Sequence, residues 1–189
     1  MIKKTMAKSE IFVKKNWVDI LLILIIFLIG FSIRLINLRY GLQTDELKWI
    51  FRAKKFIWAL YDLNPSGTMI SNHPGVTTMY LTGFVYFLLP ENLDILSYSR
   101  LPFCILGAAT CSLIYLMGSS IFNRERGFLA AVMLTFEPFY IGITRIVHLD
   151  GLLSFFFTLT LYFFWLGITK KKTNLHCIFW DLTRLSCLD

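Results

Sequence analysis

The chain has 189 residues, of which 56% are hydrophobic and 16% charged, with a formal net charge of +7. Charges gathered into short clusters between long apolar runs exclude an ordinary water-soluble domain and mark an integral membrane protein. The basic excess sits at the ends of apolar segments rather than in a groove-sized patch, which excludes nucleic acid as a partner, and four cysteines with neither a CxxC nor a spacing matched to histidine exclude a disulfide framework and a Cys/His metal site.

Lys3, Lys4, Lys8, Lys14 and Lys15 precede the first apolar run, 17–36, which is interrupted only by Asp19 near its start and by Ser32 and Arg34 near its end. As a helix it covers about 30 Å and crosses a bilayer. Ile33, Arg34 and Leu35 stand where a cleavable signal peptide would need small residues, so the segment is expected to be retained. Next comes a short polar break with Thr44, Asp45 and Glu46. Thr44 reads as an N-cap followed by acidic residues in a first helical turn. The same pair at a membrane edge also has the chemistry of an acid–base site, and both readings stand on position alone. Residues 46–60 place Lys48, Arg52 and Lys55 on one helical face and Ile50, Ala53, Ile57 and Leu60 on another, with Trp49 and Trp58, which predicts an amphipathic helix in the interface.

His73 lies in SNHPGVTTM, where Pro74 and Gly75 predict a helix-entry turn with a solvated imidazole. Apolar stretches then run through 76–89, 101–122, 128–143 and 152–168, all expected to be helical because unpaired backbone groups are costly in lipid. Cys104 and Cys111 fall on one of these helices as small apolar fillers. Arg100 reads as an interfacial anchor, and Glu137, beside Pro138, as a cap. Arg145, His148 and Asp150 fall within six residues between two apolar stretches. Arg145 snorkelling to headgroups and Asp150 capping the next helix would explain two of them, but three ionisable groups exceed what topology needs.

Lysine and arginine clusters at the N-terminus, at Arg124/Arg126 and at Lys170–Lys172 all read as cytoplasmic. Five full crossings would violate that pattern, so 76–89, about 21 Å long as a helix, is expected to be short or re-entrant. The sequence therefore predicts an all-α integral membrane bundle. It has about four full crossings, one short or re-entrant helix and an interfacial amphipathic helix, with Asp45, His73, Arg100, Arg145, His148 and Asp150 on the extracytoplasmic face. Its organisation reads as 1–168, a transmembrane part with a first outer loop at about 38–75, followed by 169–189, a cytoplasmic basic segment and tail.

GLQTDELKWIFRAKKFIWAL, then NHPGVTTMYLTG, then the run from SRLPFCILGAATC to TRIVHLDGLLSFFFTLTLYFF resemble the N-terminal half of the protein O-mannosyltransferase-like family. These are membrane glycosyltransferases of the GT-C class, in glycosyltransferase family 39, which use polyprenyl-phosphate sugars. The resemblance covers about residues 18–168 and rests on the ordered set of motifs. It matches the family's Asp-Glu pair to Asp45 and Glu46, its His-Pro segment to His73 and Pro74, and its later Arg-x-x-x-x-Asp arrangement to Arg145 and Asp150. Gly75-Val76-Thr77 departs from the second proline and the lysine found in many members.

The resemblance implies transfer of a hexose, mannose or similar, from a lipid-linked sugar phosphate to a hydroxyl on protein, lipid or glycan, with inversion. It implies catalytic roles for Asp45 and Glu46, donor-phosphate contacts from Arg145, His73 and Arg100, and acceptor or orienting roles for Asp150 and His148. No resident cofactor is implied, and the carboxylate pair can act with or without a divalent ion. Since members of the family continue through further helices, the chain is expected to be a truncated or split product, inactive alone and completed by a second chain. The rival expectation is a non-catalytic membrane subunit, scaffold or transporter fragment.

Overall fold

The computed structural model describes residues 2–39, 41–70, 75–89 and 94–169, with side chains described from residue 17 onward. Among them are seven α-helices and no strand: α1 Ile2–Leu35, α2 Thr44–Tyr61, α3 Val76–Leu88, α4 Ile95–Ile121, α5 Arg124–Thr135, α6 Pro138–Ile143 and α7 Leu149–Thr169, with a 3-10 turn at Ser66–Thr68. The chain is an all-helical membrane protein. Three of its helices are individually long and apolar enough to cross a bilayer, at Trp17–Leu35, Ile95–Ile121 and Leu149–Thr169.

Side-chain contacts set the direction of each pass. Ser112 Oγ on α4 donates to the Ile23 carbonyl of α1 at 3.2 Å, and the Tyr115 hydroxyl donates to Asp19 at 2.6 Å, so α4 runs antiparallel to α1. Arg124, opening α5, binds the Asp19 carboxylate through Nε at 2.7 Å and Nη2 at 3.0 Å, while Thr144, just past α6, receives Arg34 Nε at 2.8 Å. Asp19 and Arg34 lie about 22 Å apart along α1 at 1.5 Å per residue.

The stretch 128–143, expected as one helix, therefore traverses the bundle in two pieces. The break falls at Phe136, after which Glu137 accepts a hydrogen bond from the Tyr140 amide and Pro138 occupies the first helical position. Proline there costs nothing, because its missing N–H would have been unpaired in a first turn anyway. From α6 the chain turns back into α7, and the Tyr140 and Ser154 hydroxyls meet at 3.2 Å. Close approach of α4 and α5 depends on facing glycines: a Cβ on Gly118 would lie 2.8 Å from the Gly127 Cα.

Two other expectations shift. Helix α2 starts at Thr44, so the capping position belongs to Gln43, in extended conformation and without a side-chain cap, and Thr44 is the first helical residue. Helix α4 begins at Ile95, ahead of the expected 101, because Asp94 through Arg100 already coil and Pro102 lies inside the helix. The helix α3, 13 residues and about 20 Å, is as short as expected.

Two apolar clusters organise the molecule. Ile26, Cys111, Tyr115 and Ala131 join α1, α4 and α5. At the other end, Trp49, Ile50, Ala53 and Phe56 of α2 pack with Met79, Phe103, Val147 and Leu152. Thus α2 is amphipathic as expected, with one face buried against protein while Lys48 and Lys55 stay exposed. Cys104 and Cys111 are fully buried free thiols that fill α4's inner face.

Candidate active site

The acidic pair at the start of α2 divides into two environments. Helical geometry turns adjacent side chains about 100° apart, so one of two neighbours can face the core while the other faces out. Glu46 is buried, with a residual exposure of 1%, whereas the Asp45 side chain is 64% exposed.

Glu46 is held by a two-pronged ion pair. Arg100, in the second turn of α4, donates from Nε to Oε1 at 2.7 Å and from Nη2 to Oε2 at 2.5 Å. The Val147 amide adds a third bond to Oε1 at 3.0 Å. Arg100 also donates to the Leu38 carbonyl and, at 3.1 Å, to that of Gly41. One buried pair thereby ties the α1–α2 connection, the start of α2, α4 and the α6–α7 link together. Arg100, expected as an interfacial anchor, is instead fully buried.

Asp45 bonds Lys48 Nζ at 2.9 Å, one turn along the same helix. That hydrogen bond and the lysine's charge hold the Asp45 carboxyl below the usual carboxylate range, with smaller help from His148 and Arg52. His148 is thus within electrostatic reach of Asp45. Its Nδ1 lies 3.0 Å from Asp150 Oδ2, but off the line of a hydrogen bond, so the buried nitrogen has no aligned partner.

Arg145 and His148 occupy the irregular link 144–148, which Thr144 begins by closing α6; Asp150 lies in the first turn of α7. Arg145 Nη2 donates to the Ile36 carbonyl, just beyond α1. Asp45, Glu46, Arg100, Arg145, His148 and Asp150 therefore gather at one end of the bundle, opposite Asp19 and Arg124. His73, Lys170–Lys172 and the 170–189 tail lie outside the described residues.

Residues 72–180 match the family model described as dolichyl-phosphate-mannose-protein mannosyltransferase. The chain belongs to this family. Membership places it among the glycosyltransferases of the GT-C kind, and the apolar helices agree with a membrane-embedded member. The matched segment contains Arg100, Arg145, His148 and Asp150 and begins after Asp45 and Glu46. No individual curated protein and no solved structure matches the chain.

Two features of this mannosyltransferase-family site escaped the sequence. Glu46 and Arg100 are 54 residues apart, and no local pattern pairs them. Arg34 is completely buried near the end of α1, where a lone arginine in an apolar span was itself a signal.

Proposed function

We propose that this chain carries the catalytic end of a membrane mannosyltransferase that moves a sugar from a polyprenyl-phosphate donor to an acceptor hydroxyl, with inversion. The observation that carries the reading is the exposed Asp45 carboxylate, fixed at the head of α2 by its buried neighbour Glu46 and set beside the link that bears Arg145 and His148.

The acceptor oxygen attacks the anomeric carbon as the bond from that carbon to the phosphate oxygen breaks. The acceptor proton passes to Asp45, and the departing polyprenyl phosphate takes the electron pair. A sugar phosphate is already a good leaving group, so the protein's main tasks are to accept that proton and to steady the charge on phosphate. Arg145 suits the second task because its planar fork of N–H groups matches phosphate oxygens, and His73 joins it. Glu46 and Arg100 act together as the brace that aims Asp45. Asp150 and His148 orient the acceptor.

The polyprenyl tail remains in lipid, which fits reacting groups gathered at a bundle end. The proposed setting is the cell membrane, with the N-terminus cytoplasmic and the site on the outer face, and with a second chain or further helices covering exposed apolar surface.

Asp45→Asn tests the base. Transfer of labelled mannose from dolichyl phosphate mannose should fall by at least about 100-fold, with expression and thermal unfolding unchanged because Asp45 is exposed. Undiminished transfer removes Asp45 from this role. A base must be ionised, and Lys48 lowers the Asp45 pKa, so wild-type activity should persist on acidification until below the ordinary carboxylate range. Lys48→Ala should move that acidic limb upward; an unmoved limb assigns it to another group.

A further inference from the structure

Arg34 is a fully buried guanidinium inside a membrane-crossing helix, an expensive placement that usually marks a function. Its partners are neutral: Nε donates to Thr144 Oγ1 at 2.8 Å, Nη1 to the Gly30 carbonyl at 2.8 Å and Nη2 to Cys111 Sγ at 3.8 Å, while its charge lies 5.3 Å from the centre of the Tyr140 ring. Among the described residues no carboxylate pairs with it. A cation retained for stability alone would be expected to have an anionic partner.

The geometry is reciprocal. Arg34, at the end of α1, reaches across to Thr144, at the end of α6. Arg145, the next residue, reaches back to the Ile36 carbonyl just past α1. The clasp is tight, because a Cβ on Gly107 of α4 would lie 2.6 Å from Thr144 Cβ and 2.7 Å from Arg34 Nε. Thr144 cannot shift toward α4, and its hydroxyl is further tied to the Tyr140 carbonyl at 2.6 Å. Cys104, one turn beyond Arg100 on α4, has its sulfur 3.9 Å from the Arg34 carbonyl, so the clasp lies next to the Glu46 brace.

We propose that Arg34 is a positioning residue for Arg145: by holding Thr144 it fixes the end of α6, so that the Arg145 guanidinium is presented at one defined point to the donor's phosphate. This rests on the phosphate role given to Arg145 above. Arg34 itself touches no substrate. Its effect travels through the Thr144 hydroxyl, which also donates to the Tyr140 carbonyl and is the group that the test removes.

The test uses the full chain in phosphatidylcholine nanodiscs, with radiolabelled dolichyl phosphate mannose as the probe. Thr144→Val keeps the side-chain shape and deletes the acceptor; Thr144→Ser keeps the acceptor and serves as the rescue. Thr144→Val and Arg145→Gln should each weaken probe binding about tenfold, and the double variant no further, because both act at one group. Thr144→Ser should bind within about twofold of wild type. A second measurement needs no donor: the rate at which phenylglyoxal modifies Arg145, resolved by mass spectrometry, should rise in Thr144→Val and return in Thr144→Ser.

Weakened binding in Arg145→Gln beside unchanged binding and unchanged labelling in Thr144→Val would overturn the inference alone. So would additive losses in the double variant. Unchanged binding in Arg145→Gln, or no probe binding by wild type, would sink the phosphate role and the inference with it.

Discussion

At the level of single residues, the two members of the acidic pair cannot be exchanged. Asp45 is exposed and its carboxyl is held low by an exposed lysine, which suits it to the proposed role of base. Glu46 satisfies a guanidinium and a backbone amide in a buried place, which makes its contribution architectural. Removing one partner of such a pair leaves an uncompensated charge and costs about 3–5 kcal/mol, whereas replacing both with apolar groups costs far less. Arg100→Met should therefore lower the thermal unfolding midpoint sharply, and Arg100→Met with Glu46→Leu should recover much of it. If the double variant is as unstable as the single, the pair is not the brace described. The sequence displayed the acidic pair and its membrane-edge setting. It could not display the split, because which neighbour faces inward depended on an arginine in a helix not yet packed.

Helices show the same division between local and distant causes. The amphipathic face of α2, the short α3 and the apolar passes of α1, α4 and α7 follow from periodicity and length, and were legible. The break between α5 and α6 was half legible: Glu137, beside Pro138, read as a cap, yet the surrounding apolar run read as one continuous helix. At the entrance to α3, Gly75 adopts a φ of +155° with Trp49 against it, and a Cβ there would lie 2.4 Å from the Trp49 ring. Proline, with φ locked near −65°, could not take this conformation, so the departure from the two-proline pattern has a physical reason here. Gly75→Ala should displace Trp49 and destabilise the α2–α3 packing by roughly 1–3 kcal/mol, read as increased hydrogen exchange in α2. Unchanged protection there would show that the indole is not held by the glycine.

For the whole molecule, the decisive arrangement is the segregation of ionisable groups to opposite ends. Asp19, Tyr115 and Arg124 interlock at one end; Glu46, Arg100, Arg145, His148 and Asp150 gather at the other. Charge counting on the sequence anticipated this grouping, since alternating passes put every second connection on the same side. It anticipated 128–143 as one pass, but not that two helices, α5 and α6, make up that pass. A cysteine at Leu63, 88% exposed beyond α2, in a variant lacking native cysteines, should react with a membrane-impermeant maleimide added outside intact cells. Reaction only after the membrane is opened would reverse the proposed orientation.

The bond between Glu46 and Arg100 also imposes an order on biosynthesis. Glu46 leaves the ribosome long before its partner, and the Val147 amide that completes its coordination comes later still. Through that interval the carboxylate must remain hydrated, so the head of α2 cannot settle into its final place until α4 has inserted and the chain has passed through α5 and α6. The end that carries Asp45 is consequently the last part of the described bundle to close, only after nearly the whole described chain has been made.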